Sequence, residues 1–383
     1  MRKFLLIILT LPILAGLSWW YFHQRQLLTL DPAYHEYAYV TNGKSNTVTV
    51  IDLRTYQPIK SLKVGSAPTG IAANEKKNEV YAVNSGSANV SVIDAERNEV
   101  VAIIGVHGAP YFVDVSSDGK RAYVANSGSN NVSVIDLDAR KVVANIRVGN
   151  SPGLARVSPD GNTAVVSNRA SDSISVINTR SLSVRTTIPL CHLPTDIAIL
   201  PDNRKAFVAC SGSAQVASID LKSDKLLALL DVGGTPVDLA LKPDGGELIV
   251  CNFDSDNVSI IETTTDEVSG SYLIGTHPSH AVVSNDNSRL YVSNFGSNTI
   301  AVYDIDMGKV IASLPVGSAP DALALSQSQN YLLVLDSQSG DVTVIQKRKP
   351  RKLEPGEYGL LTMIPAGIQP NNVAVKAFSV RPR

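Results

Sequence analysis

Tyr123 to Gly149 reads YVANSGSNNVSVIDLDARKVVANIRVG, and drifting copies of it fill most of the 383-residue chain. Its opening tetrapeptide returns as YVTN at Tyr39, YAVN at Tyr81, VVSN at Val165, FVAC at Phe207, IVCN at Ile249, YVSN at Tyr291 and LVLD at Leu333, at a constant step of 42 residues. A proline that follows a VG-type dipeptide keeps the same step through Pro68, Pro110, Pro152, Pro194, Pro236, Pro278 and Pro320. A fixed period in this range marks a solenoid, a propeller or a stacked array, because one unit alone cannot bury its apolar faces.

Within the unit the apolar residues form four short, β-branched runs separated by Gly, Asn, Asp and Ser, which predicts four strands. In the third unit these are Phe112–Val115, Arg121–Ala125, Val132–Asp136 and Val142–Val148, here called A, B, C and D. SSDG at Ser116 to Gly119, like SPDG at Ser158 and KPDG at Lys242, supplies a positive-φ turn that folds A and B into a hairpin. Four antiparallel strands in about 40 to 45 residues are the size of one β-propeller blade.

The YVTN and YVAN tetrapeptides, the VSVID runs at Val90 and Val132, the VGSAP of Val64 and Val316 and the PDG turns resemble the YVTN-repeat propellers of bacteria and archaea, and within them the YncE-like cell-envelope group. The resemblance covers roughly residues 37 to 377 and implies an all-β propeller outside the cytoplasm. It implies no single activity, since such propellers host binding modules, lactonases and redox proteins alike.

Family members are often seven-bladed, but the strand count here gives eight. The first strand after the N-terminal segment is a B strand at Tyr39, with no A strand before it. QPNNVAV (Gln369 to Val375) matches APDALAL (Ala319 to Leu325), with the step lengthened to 50. The C-terminal strand is therefore expected to sit innermost in the N-terminal blade and close the ring.

Residues 1 to 22 lie outside the repeats. Arg2 and Lys3 precede an uncharged run, Phe4 to Phe22, whose 19 residues would span about 28 Å as a helix, close to a bilayer core. The run ends in Trp19, Trp20 and Tyr21, which suit a membrane interface, and the flanking charges place the rest outside the cytoplasm. An uncleaved anchor is expected, followed by a tether to residue 36, the propeller over 37–377 and a tail over 378–383; secretion after signal cleavage is the alternative. A monomer is expected. The net charge of −1 gives no whole-protein attraction to nucleic acid or anionic lipid.

The three cysteines are Cys191, Cys210 and Cys251. Cys210 and Cys251 fall on B strands of adjacent blades, about 10 Å apart, too far for the roughly 4.4 to 6.8 Å that a disulfide spans between Cα atoms. The cysteines are read as buried small apolar residues. CxxCH, HExxH, GxSxG and a Walker loop are absent from the sequence, which removes covalent c-type haem, zincin, α/β-hydrolase and P-loop chemistry.

Repeats allow each position to be compared with its own equivalents. A serine stands in all eight B–C loops (Ser45, Ser87, Ser129, Ser171, Ser213, Ser255, Ser297, Ser339), and it is read with the preceding asparagines as structural turn chemistry. Departures gather at the end of the blades shared by the B–C and D–A loops. His107, Cys191, His192 and His277 replace small residues in D–A loops, and Arg169, Phe253 and Phe295 do so in B–C loops. Where strand A opens, the units carry Gly70, Phe112, Leu154, Asp196, Asp238, His280, Ala322 and Asn372; two residues on stand Asp114 and Arg156.

Asp114, Arg156, Arg169, His192, Asp196, Asp238, His277 and His280 are thus the candidate ligand-binding set at the channel mouth. Asp114 with Arg156 reads as an ion pair. Asp196, Asp238 and His280 would share one depth, so a divalent cation held by them would relieve the repulsion of the carboxylates. A second candidate is the basic insertion Lys347, Arg348, Lys349, Arg351 and Lys352; without these five charges the rest of the chain carries about −6 (−1 − 5).

Three function classes follow. The first is a non-catalytic, membrane-tethered scaffold that offers its loop face and channel mouth to an envelope protein or small ligand. The second is a metal-dependent, lactonase-like hydrolase or a propeller associated with periplasmic redox chemistry. The third is nucleic-acid binding through residues 347–352, which lacks a recognised reading motif and interleaved aromatics.

Overall fold

The computed structural model describes residues 33–348 and 357–380. The expected anchor, residues 1–22, and the tether as far as residue 32 lie outside the described residues. Among the described residues no helix is long and apolar enough to cross a membrane. Tyr37–Lys376 forms one compact unit. A second, small unit takes the flanking residues on both sides; in it His35 stacks on Phe378 at 5.6 Å and the Val380 N–H donates to the Ala33 carbonyl.

The larger unit is a propeller of eight antiparallel four-stranded sheets. Blade 1 holds strand B at Tyr34–Asn42, C at Thr47–Asp52 and D at Gln57–Lys63, and its A strand is the C-terminal Pro370–Ser379. The ring is therefore closed as the strand count requires. Blades 2 to 8 begin with A strands at Pro68–Ala73, Pro110–Val115, Pro152–Val157, Pro194–Ile199, Pro236–Leu241, Pro278–Val283 and Pro320–Leu325.

The sequence patterns have a direct cause. B and C strands are buried on both faces, whereas D strands, outermost, alternate: Lys141–Arg147 is exposed at every second position up to Ile146. Each apolar cluster joins two neighbouring blades, as Val165, Ile174 and Val176 of blade 4 join Ile197, Val208 and Ile219 of blade 5. Ala38, Val40 and Ile51 join Leu333, Leu335 and Val344 in the same way, so the seam between blades 8 and 1 is an ordinary interface. At the A–B turns Gly119, Gly161 and Gly245 have φ of 70°, 72° and 76°, as the PDG pattern requires. A Cβ on Gly119 would lie 2.6 Å from Asn74 Oδ1.

The repeated loop residues tie the two loop types together. The Ser87, Ser129, Ser171, Ser255, Ser339 and Ser45 hydroxyls each accept a backbone N–H from the D–A loop. The asparagines work differently from turn caps. Asn84, Asn126 and Asn252 are buried and donate across to strand C, to Asn89 and Ser91 in the case of Asn84. A glycine of the D–A loop packs on Asn84 and Asn252: a Cβ on Gly65 would lie 2.7 Å from Asn84, and one on Gly233 the same distance from Asn252.

Blade 5 breaks this rule and corrects the reading of the cysteines. Cys191 occupies the glycine position and Cys210 the asparagine position, and they form a disulfide with Cα atoms 5.7 Å apart. Only Cys251 is a free, buried thiol. The sequence comparison set Cys210 against the neighbouring blade, where the spacing forbids a bridge. The partner is within its own blade, across the junction where Gly meets Asn in most other blades.

Candidate functional site at the channel mouth

At the loop end of the ring lies a cavity of about 660 Å³. All eight blades line it, with the opening residues of the A strands: Ile71, Phe112, Leu154, Asp196, Asp238, His280, Leu323 and Val373 come from blades 2 to 8 and then 1. The volume lies within the usual range for small-molecule sites.

The side chains are placed by departures that occur in pairs. Arg169, in the B–C loop of blade 4, reaches the mouth because Gly153 stands at the second position of strand A; a Cβ there would lie 2.8 Å from Arg169 Cδ. Its guanidinium carbon lies 5.9 Å from the centre of the Tyr111 ring. Gly70 similarly makes room for Phe112 of the next blade, whose ring lies 4.6 Å under the Arg156 guanidinium.

The carboxylates bridge blades through backbone N–H groups. Asp196 accepts from Ile197 in its own strand and, at 2.9 Å, from Leu239 of blade 6, and it lies 3.8 Å from Arg156. Asp238 accepts from Ala281 of blade 7 and, at 2.7 Å, pairs with His280 Nδ1. Burial, reinforced by the Asp238 charge and opposed by Arg156, raises Asp196 to about 6. Burial works against charge on His280, but the adjacent Asp238 carboxylate outweighs it and raises the imidazole to about 9, so His280 is a cation at neutral pH. Asp321, one residue before Ala322, is a member that sequence comparison passed over. Burial raises its carboxyl, and His280 opposes the rise. Aspartate against Thr, Tyr, Gly, Val, Ser and Asn at the equivalent positions was the available signal.

The structure brings together Arg156, Arg169, Asp196, Asp238 and His280 of the expected set. It separates the others. Asp114 lies further along the channel, on a second cavity of about 350 Å³ lined also by Glu75, Ser116 and Ser158. It accepts the Val157 N–H at 2.8 Å, and the ion-pair partner of Arg156 is Asp196 instead. His192 sits on the exposed loop beside Asp172, 3.0 Å away, and His277 stacks on Phe253 at 4.6 Å; neither lines the mouth. Lys347 pairs with Glu357 at 3.5 Å, and the Arg348 N–H donates to the Glu357 carbonyl. Lys349, Arg351 and Lys352 lie outside the described residues.

The expectation of a divalent cation on Asp196, Asp238 and His280 does not fit this geometry. Among the described residues no group of three or more His, Cys, Asp or Glu side chains is arranged to hold a metal. The repulsion that a cation was to relieve is already met by Arg156 on Asp196 and by the imidazolium on Asp238.

Comparison with known proteins agrees with the fold. The family described as YNCE-like beta-propeller matches residues 30–157, and the family described as lactonase, 7-bladed beta-propeller, matches residues 261–359. No curated protein matches the chain significantly. Among solved structures, hydrazine synthase of Kuenenia stuttgartiensis is 24% identical over 70% of this chain and 91% of its own, with a TM-score of 0.58. The dihydro-heme d1 dehydrogenase NirN in complex with DHE is 15% identical over 88% of this chain and 74% of its own, with a TM-score of 0.72. A protein of unknown function from Desulfotomaculum acetoxidans DSM 771 is 18% identical over 78% and 99%, with a TM-score of 0.62. At these identities the likeness is one of fold. Repeat chemistry and sheet topology agree that the chain is an eight-bladed β-propeller, similar over residues 30–157 to the YNCE-like family and over residues 261–359 to the lactonase family.

Proposed function

We propose that the protein is an extracytoplasmic, membrane-tethered binding module that takes a small polar ligand at the mouth of its channel. One observation carries the reading: five of the residues that depart from the repeat, Arg156, Arg169, Asp196, Asp238 and His280, converge on one 660 Å³ cavity that every blade lines. A framework residue recurs because each blade needs it. The mouth residues vary from blade to blade, so the repeat as such demands no single one of them. The Cys191–Cys210 disulfide supports a location outside the reducing cytoplasm, and the apolar segment Phe4 to Phe22 supports the tether.

Native mass spectrometry of protein purified from its own membranes under non-denaturing conditions tests the reading. A retained small molecule that is absent from the cavity-filling variant Leu154→Trp supports it. A ligand retained equally by the variant contradicts it. Protease access to the propeller in intact cells, from the outer side only, tests the location.

A further inference from the structure

The charges of the mouth cancel in pairs, with Arg169 and Asp321 outside the pairs, although Asp321 also feels the His280 charge. Arg156 is matched to Asp196 and His280 to Asp238. Arg169 and Asp321 line the same cavity, and among the described residues neither takes part in an ion pair. The Arg169 Nε is buried and has no hydrogen-bond partner. A buried donor of a charged group without a partner is costly.

Their positions are set by the fold. Arg169 belongs to blade 4 and Asp321 to blade 8, and in an eight-bladed ring blades four apart face each other across the channel. Between them the wall is largely apolar on one arc, with Ile71, Phe112 and Val373 of blades 2, 3 and 1, and charged on the other, with Asp196, Asp238 and His280 of blades 5 to 7. The Tyr111 ring, 45% exposed, lies beside Arg169.

Resting on the proposed binding role of this mouth, we propose that its ligand is a zwitterion with separated charges, such as a short peptide: the anionic end docks on Arg169, the cationic end on Asp321, and an apolar body crosses the channel. A guanidinium matches a carboxylate in geometry as well as charge. A free α-amino acid carries both charges on one carbon, whereas a dipeptide separates them, as charged groups on opposite blades require. The cavity holds on the order of twenty water volumes, enough for that size.

Isothermal titration calorimetry of the purified propeller with L-alanyl-L-phenylalanine, its N-acetyl form, its C-terminal amide and the doubly blocked peptide provides the test. The free dipeptide is expected to bind at least roughly tenfold more tightly than either singly charged form. In Arg169→Gln the dipeptide should fall to the affinity of the amide, and in Asp321→Asn to that of the N-acetyl form, with melting midpoints close to wild type. Equal binding of free, singly charged and doubly blocked peptides overturns the zwitterion assignment and leaves a mouth that binds small molecules. Binding of the free dipeptide that both variants retain overturns the placement. If no peptide binds while native mass spectrometry shows another retained molecule, the ligand class is wrong and the binding role stands; if both are negative, both fall.

Discussion

The B and C strands and the opening residues of the A strands are parts of the same 42-residue unit, yet they have diverged in opposite senses. Around the ring the B strands keep a large buried residue where the repeated tetrapeptide begins, including Tyr39, Tyr81, Tyr123, Phe207 and Tyr291, and the loops keep their serine. At the mouth the equivalent positions hold Gly70, Phe112, Leu154, Asp196, Asp238, His280, Ala322 and Asn372. Packing between blades is the same problem solved eight times, so it accepts the same answer. The mouth is one place, and each blade contributes a different side of it.

The largest effect should come from the framework. Deleting residues 369–383 removes the A strand of blade 1 and leaves the Tyr34–Asn42 strand as an open edge beside the seam with blade 8. The expected loss is on the order of the whole net stability, roughly 5–15 kcal/mol, seen as loss of a cooperative transition in urea. A truncated chain that melts as the full one does would show that the ring does not depend on its closing strand.

Next comes the junction where blade 5 replaces both partners of the Gly–Asn contact. Replacing both Cys191 and Cys210 by serine opens a loop of 19 residues and should cost about 3 kcal/mol. Restoring the repeat's own pair with Cys191→Gly and Cys210→Asn should recover part of that loss, by chemical denaturation. If the Gly–Asn variant is no better than the serine one, the junctions are not equivalent.

At the mouth the effect is on pH dependence. His280 is raised to about 9 from an unfolded value near 6.5, so its contribution to stability is full below about pH 6.5 and is lost as pH rises through about 9. Asp196, raised to about 6, acts in the same sense at lower pH: its contribution is full below about pH 3.9 and is lost through about 6. Stability should therefore fall between pH 6.5 and 9, and Asp238→Asn should flatten that slope and return the His280 titration, followed by NMR, toward the ordinary imidazole range. A His280 that titrates near 6.5 in the wild type would remove the imidazolium from the site.

The smallest effect distinguishes two serines. Ser129→Ala removes the acceptor for the Gly108 N–H and should cost about 1 kcal/mol. Ser213, in the disulfide-bearing blade, has a hydroxyl with no partner, so Ser213→Ala should be close to neutral. Equal costs would mean that the serine serves the loop by some other contact.

How legible these parts were in the sequence follows from the same contrast. Strand number, turn chemistry and ring closure were readable because every feature is stated eight times, and Gln369 to Val375 could be identified as a displaced A strand from its match to Ala319 to Leu325. The mouth was readable only as a set of departures. The repeat gives the depth of a residue in the blade but not the side chain's direction: Asp114 and Arg156 share a repeat position, yet one turns to Val157 and the other to Asp196. The disulfide was missed for a related reason. Cys191 and Cys210 were compared with residues in other blades, while the informative fact was that both sides of one Gly–Asn contact changed together, as Gly153 and Arg169 also did.

Methyl NMR of the propeller titrated with L-alanyl-L-phenylalanine tests directly whether function resides in the mouth residues that depart from the repeat. The account predicts shifts confined to the lining methyls, Ile71, Leu154, Val237, Leu323 and Val373, with Val115 and Val157 at the second cavity and Leu227 and Leu229 on an outer D strand unmoved. Shifts at the outer strands or the second cavity, with the mouth silent, would contradict it.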